Sequence, residues 1–271
     1  MKIFAIRDER DVRGRDAAHL IYYEKARRFY IELPDDADPW ETPLILSTFC
    51  RRGEKTVNAY WSRVWVQQRI VPTDRQNLGQ ILRDNGMNGY DEYQLLTATQ
   101  GRCAQDSYYI TQITEEELPA GFSARMRYKT EDVVPLEGCA LLVFFRDGAV
   151  KRCPLQNCFT QDRTFAPLLS SQEQFDRVEI QAGGYGVCWG ESLEIADEAL
   201  YRMGDEVPLG QEDFRMFVAQ RVVNTAEAAQ LLGCSKQNVD DLVRRGKLHP
   251  VKESAKSKLF LKSEIIQRSW L

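Results

Sequence analysis

Five side chains suited to a polyanionic partner, Lys236, Gln237, Asn238, Arg244 and Arg245, fall within ten consecutive positions of this chain. Lysine and arginine supply phosphate contact without sequence preference. The amides of glutamine and asparagine can each donate to and accept from an adenine edge, which is sequence readout. Lys247, Lys252, Lys256 and Lys258 extend the basic run. Asp240 and Asp241 stand inside it. A carboxylate there is repelled by phosphate, although it can accept from a cytosine amino group. Asp241 can also pair with Arg244 or Arg245 along a helix.

These residues need two short helices to hold them. Thr225 can cap the first, which carries Ala228, Leu231 and Leu232 on one face and stops at Gly233. Ser235 can cap the second, with Val239, Leu242 and Val243 facing inward. At about 100° per residue, Gln237, Asp241 and Arg244 then lie on the outer face. Gly246 ends the second helix. Residues 248–252 and 258–261 can pair as a hairpin, and Ser263 can cap a last helix through Ile265, Ile266 and Trp270.

The run from Thr225 to Ser235, with Glu227, Ala228, Ala229, Leu231, Leu232 and Gly233, closes on Arg245-Gly246-Lys247-Leu248. It resembles the excisionase/MerR-type winged helix-turn-helix family over residues 221–271. That resemblance implies DNA as a partner, contacted by Lys236, Gln237, Asn238, Asp241, Arg244, Arg245, Lys247, Lys252, Lys256 and Lys258. Charge agrees with this placement. The chain holds 36 Lys+Arg against 40 Asp+Glu, whereas residues 221–271 hold 10 against 5. A basic tail on an acidic body is the asymmetry expected when one module meets polyanion.

Residues 131–205 form a second block. Leu141 to Phe145 reads as a buried strand, Arg146-Asp147-Gly148 as a hairpin turn and Ala149 to Cys153 as the returning strand. Phe165 to Leu169, Phe175, Val178 to Gln181, Val187 to Trp189 and Leu193 to Tyr201 complete a pattern that resembles a small bacterial α+β domain family of unknown function. Gly183, Gly184 and Gly186 lack the Lys-Ser/Thr close or the spacing of a phosphate loop and read as a turn. Trp189 reads as core, and Asp197 and Glu198 as a solvated first helical turn.

Residues 1–117 open on strands at 19–23 and 29–33, followed by helical patterns at 40–49, 57–70, 75–84 and 90–97 and a strand at 108–110. Arg63, Arg69, Arg75 and Arg83 read as solvated arginines of a helical region. Residues 65–78 with 106–110 resemble N-terminal segments of some HipA-like kinase proteins, which implies a detached regulatory module. No Gly-rich phosphate loop, H-R-D or D-F-G is present.

The whole reads as a multidomain α+β chain. A mixed N-terminal domain, mostly helical after residue 40, precedes the small α+β domain and the winged helix-turn-helix. Seven cysteines without C-x-x-C spacing, two histidines and a charged N-terminus point to a cytoplasmic protein with reduced thiols and no metal or cofactor. No run approaches the roughly 18 apolar residues of a membrane span. No catalytic constellation stands out, so an enzyme is disfavoured. Two readings remain: a DNA-binding regulator or accessory protein whose residues 1–205 sense a signal or hold a partner, and an interaction protein, for example the partner of a toxin-like kinase. The sequence sets no oligomeric state.

Overall fold

The computed structural model describes residues 1–206, 211–254 and 257–270, which divide into two compact units, Met1–Ser123 and Ala124–Leu271. In the first unit, strands β1 (Lys2–Asp8), β2 (Asp16–Tyr23), β3 (Arg28–Glu32), β4 (Thr56–Val57) and β5 (Tyr108–Ile113) form one sheet in the order β4-β3-β2-β1-β5, with every pairing antiparallel. Helices α1 (Leu44–Arg51), α2 (Ala59–Gln67), α3 (Leu78–Asp84) and α4 (Glu92–Ala98) lie between the strands in sequence. Alternation sends Phe4, Ile6, Leu20, Tyr22, Phe29 and Ile31 to one face, where Leu46, Trp65, Val66, Leu95 and Leu96 close the core.

Two sequence expectations change here. The helix expected from Trp40 begins at Leu44 instead, because Pro43 at its N-cap excludes helical backbone from the residue before it. Trp40 is exposed. Arg69 is not solvated: it is buried over the Trp65 ring at 3.9 Å and paired with Asp106.

Helix α5 (Ala120–Arg127) leads into the second unit. Strands β6 (Thr130–Leu136), β7 (Ala140–Phe145) and β8 (Val150–Pro154) form an antiparallel meander, with the turn at Gly148 where the sequence places it. Three short helices follow, α6 (Gln156–Gln161), α7 (Ala166–Ser170) and α8 (Gln172–Phe175). Strands β9 (Glu179–Ile180), β10 (Gly186–Trp189) and β11 (Leu193–Ala196) make a second sheet. Helix α9 (Asp197–Met203) then brings β12 (Asp205–Glu206) to the edge of the first.

Val133, Leu141, Val143, Phe145, Phe159, Phe175, Val187 and Trp189 share one core. The Trp189 indole donates to the Phe175 carbonyl at 2.8 Å. Gly184, at φ +81°, lies so close to β6 that a Cβ would come within 2.4 Å of the Thr130 carbonyl oxygen. Its glycine is therefore demanded by packing. Asp197 departs from the solvated position expected of it: it is buried 3.2 Å from the equally buried Lys129, whose ammonium also sits 3.8 Å from the Tyr185 ring centroid.

Helix α10 (Gln211–Arg221) crosses the other face of the four-stranded sheet, where Met216 and Phe217 pack with Val134, Leu136, Ala140 and Leu142. The C-terminal module follows as β13 (Val222–Asn224), α11 (Thr225–Leu232), α12 (Lys236–Arg244), β14 (Lys252–Ser254), β15 (Ser257–Leu261) and α13 (Lys262–Trp270). Its sheet runs β13-β15-β14. Val223, Ala228, Ala229, Val239, Leu248, Phe260 and Ile265 are its buried core.

Candidate nucleic-acid interface

The position of α12 is set from both ends. Gly233 takes left-handed backbone, φ +63°, which stops α11 at no steric cost and turns the chain. The Ser235 hydroxyl then accepts the Asn238 N–H at 3.2 Å and starts α12. Val239 is fully buried and Leu242 and Val243 pack partly against the core. The polar side of the helix is thereby fixed outward. Lys236, Gln237, Asn238, Arg244 and Arg245 are all exposed, as is Lys247 beyond Gly246.

Other local expectations need correction. Leu231 is 41% exposed and outside the core, because the inward face of α11 centres on Ala228, Ala229 and Leu232. The cap of α11 is Asn224 rather than Thr225. The Asn224 side chain accepts the Ala226 and Glu227 N–H groups at 2.8 and 3.1 Å, and Glu227 accepts the Asn224 N–H at 2.8 Å. Ser263 does not cap α13: it lies inside the helix and is buried. The first hairpin strand runs Lys252–Ser254 rather than 248–252, and Ser254 pairs with Ser257.

The two acids within the basic run are both partnered. Asp241 holds Arg244 at 2.7 Å, one turn along the same helix. Asp240 holds Lys258 of β15 at 2.6 Å. Lys258 is thus half-buried between α12 and the hairpin, while Lys252 is exposed. Lys256 lies outside the described residues. Among the described residues, no ion pair engages Lys236, Arg245, Lys247 or Lys252. The side of the module presented by α12 and β14 therefore combines free cations with two amides.

On another side the module is anchored. Arg221, the last residue of α10, is buried with its Nε 2.9 Å from Asp132 of β6 and its Nη2 donating to the Val133 carbonyl. Burial pushes the Asp132 carboxyl up to about 6, and the nearby Arg221 charge opposes that shift. Lys262, at the start of α13, is held below its ordinary value by burial and by Arg221. Helix α13 itself packs against residues 182–184. Sequence reasoning missed this anchor, and no local signal marks it.

Elsewhere, His19 is buried beside Asp16 at 3.2 Å, and Asp16 also takes Arg7 at 2.7 Å. The Cys153 thiol is pushed up to about 12 by burial and donates to the Leu200 carbonyl at 3.3 Å. Among the described residues no group of three or more His, Cys, Asp or Glu could hold a metal ion, and no helix is long and apolar enough to cross a membrane.

Comparison with known families matches both parts of the second unit. Residues 130–206 match a family described as a protein of unknown function (DUF2442), and residues 222–268 match a helix-turn-helix domain. The chain thus carries a DNA-binding helix-turn-helix of excisionase-like type. No curated protein and no solved structure matches the chain.

Proposed function

We propose that this chain is a cytoplasmic DNA-binding protein of regulatory or accessory type. In this reading α12 enters the major groove and the β14–β15 hairpin acts as a wing on the flanking backbone. The observation that carries it is the exposed set Lys236, Gln237, Asn238, Arg244 and Arg245 on a helix whose opposite side is buried. Gln237 and Asn238 lie in the first turn, the part of a recognition helix that reaches base edges. Lys247 and Lys252 are placed for phosphate.

The acidic pair Asp240 and Asp241 is the sequence feature that favours docking to protein. Both side chains are neutralised inside the module, which weighs for nucleic acid. Residues 1–205 are assigned sensing or partner binding and no catalytic step. A cleft of about 610 Å³ in the first unit, lined by Tyr22, Arg27, Arg28, Arg63, Tyr90 and Tyr93 among others, supports that assignment.

The test is a salt titration of affinity for a 30-base-pair duplex of mixed sequence. Four unpaired cations on phosphate give a slope of log K against log salt of about −3 to −4. Absence of salt-dependent binding to the duplex refutes the proposal.

A further inference from the structure

Asp240 points from the second turn of α12 to the hairpin and meets the Lys258 ammonium at 2.6 Å. Glu253, directly across the β14–β15 pair, lies 3.5 Å from the same ammonium. Two carboxylates thus offset one charge, and they hold the Lys258 ammonium above its ordinary value. The side chain of Lys258 keeps only 21% exposure, against 47% for Asp240. This clasp forms part of the wall of a groove of about 510 Å³ between α11, α12 and the hairpin, with Asn224, Lys236, Ser254 and Ser257 also on its walls. A phosphate entering the groove meets the Lys236 cation and, beside it, a lysine that is already neutralised.

We infer that Asp240 sets the affinity of the module for DNA by holding Lys258 off the phosphate backbone. The inference rests on the DNA-binding reading and adds an internal restraint to it. A freed Lys258 would neutralise one further phosphate. That steepens the salt dependence by about 0.9 and strengthens binding roughly eightfold at 0.1 M salt. The clasp is a partly exposed pair at the surface of the module, of small energetic value, so its removal leaves the fold intact.

The experiment is a double-mutant cycle on the full chain: wild type, Asp240→Asn, Lys258→Gln and the double variant. Each is titrated against the same 30-base-pair mixed-sequence duplex from 50 to 300 mM KCl, and thermal melts verify that all four are folded. Asp240→Asn should bind tighter with a slope steeper by up to about 0.9, since Glu253 at 3.5 Å still shares the Lys258 charge. Lys258→Gln should then lower the slope by that amount in the D240N background and by much less in the wild type. Equal steps in the two backgrounds, or a D240N slope identical to the wild type, overturn the inference while leaving DNA binding in place. A wild type that fails to bind duplex at 50 mM KCl overturns the DNA reading itself, and the inference with it.

Discussion

Asp132→Ala should destabilise the second unit far more than an average single substitution. The mutation leaves Arg221 buried, with its Nη2 still donating to the Val133 carbonyl but its charge without Asp132. Breaking a buried ion pair from one side costs about 3–5 kcal/mol, because the surviving charge keeps its desolvation penalty. The unit spans Ala124–Leu271. At roughly 2 cal/mol/K per residue, its unfolding entropy is about 0.3 kcal/mol/K, so the melting temperature should fall by about 10–15 °C. The assay is calorimetry of the full chain, with hydrogen exchange on peptides from β6, α10 and α13 to assign the transition. Combining Asp132→Ala with Arg221→Met removes both charges and should recover most of the loss. A shift below about 3 °C, or a double variant no better than the single one, refutes the reasoning.

The same pair predicts an unusual pH dependence. Asp132 titrates near 3.8 when unfolded and is pushed up to about 6 when folded, chiefly by burial. The folded state therefore binds this proton more tightly, and the group's contribution to stability grows as pH falls through 6; unlike alanine, the protonated carboxyl still offers Arg221 an acceptor oxygen. Between pH 7.5 and 5 the gain is about 1 kcal/mol, opposite in sign to ordinary acid denaturation. Asp132→Asn should abolish that gain, and identical pH profiles for variant and wild type would exclude Asp132 as its source.

Three further outcomes follow from the interface. Gln237→Ala with Asn238→Ala should flatten sequence preference in a binding-site selection by about 1–3 kcal/mol per lost adenine contact while leaving the salt slope unchanged. Asp241→Asn should free Arg244 and tighten binding to mixed-sequence duplex, measured by anisotropy; weaker binding would mean that the pair orients Arg244 for contact. Phe260→Ala, at a fully buried core position, should cost about 3–5 kcal/mol and unfold the C-terminal module before the sheets, which hydrogen exchange on α11 and α12 will resolve.

The helix-turn-helix was legible because its signals are local. Gly233, Ser235 and the spacing of Val239, Leu242 and Val243 act within one or two turns. Leu231 misled because a three-residue spacing from Ala228 admits it to the inward stripe, whereas Ala229 shifts the centre of that stripe to the other side. Asn224 and Thr225 are both competent caps, and only the β13–β15 pairing decides between them by holding Asn224 extended at the strand end. Strand β1 escaped because four consecutive buried residues show no alternation. The partners Lys129 with Asp197, Asp132 with Arg221 and Asp240 with Lys258 are joined by sheet register and packing across long stretches of chain. No sequence period records such pairs. The outer face of α12 and the pairing of Asp241 with Arg244 could be read in advance, but the pairing of Asp240 with Lys258 of the hairpin could not.

The anchor also gives the middle domain a role that its own residues do not suggest. A helix-turn-helix match of 222–268 is short, and its core rests on seven buried apolar side chains. Domains of that size are marginal alone, because they bury a small fraction of their surface. Here α10 buries the open face of the four-stranded sheet and ends on Arg221, which is locked to β6 immediately before β13 begins. Helix α13 closes against residues 182–184 of the same domain. The module is therefore joined to the sheets through a buried charge and two helix contacts. Helix α13 in turn packs on α11, and α11 on α12. The buried Arg221–Asp132 pair and the contact of α13 with residues 182–184 thus join the helix-turn-helix module to the sheet domain.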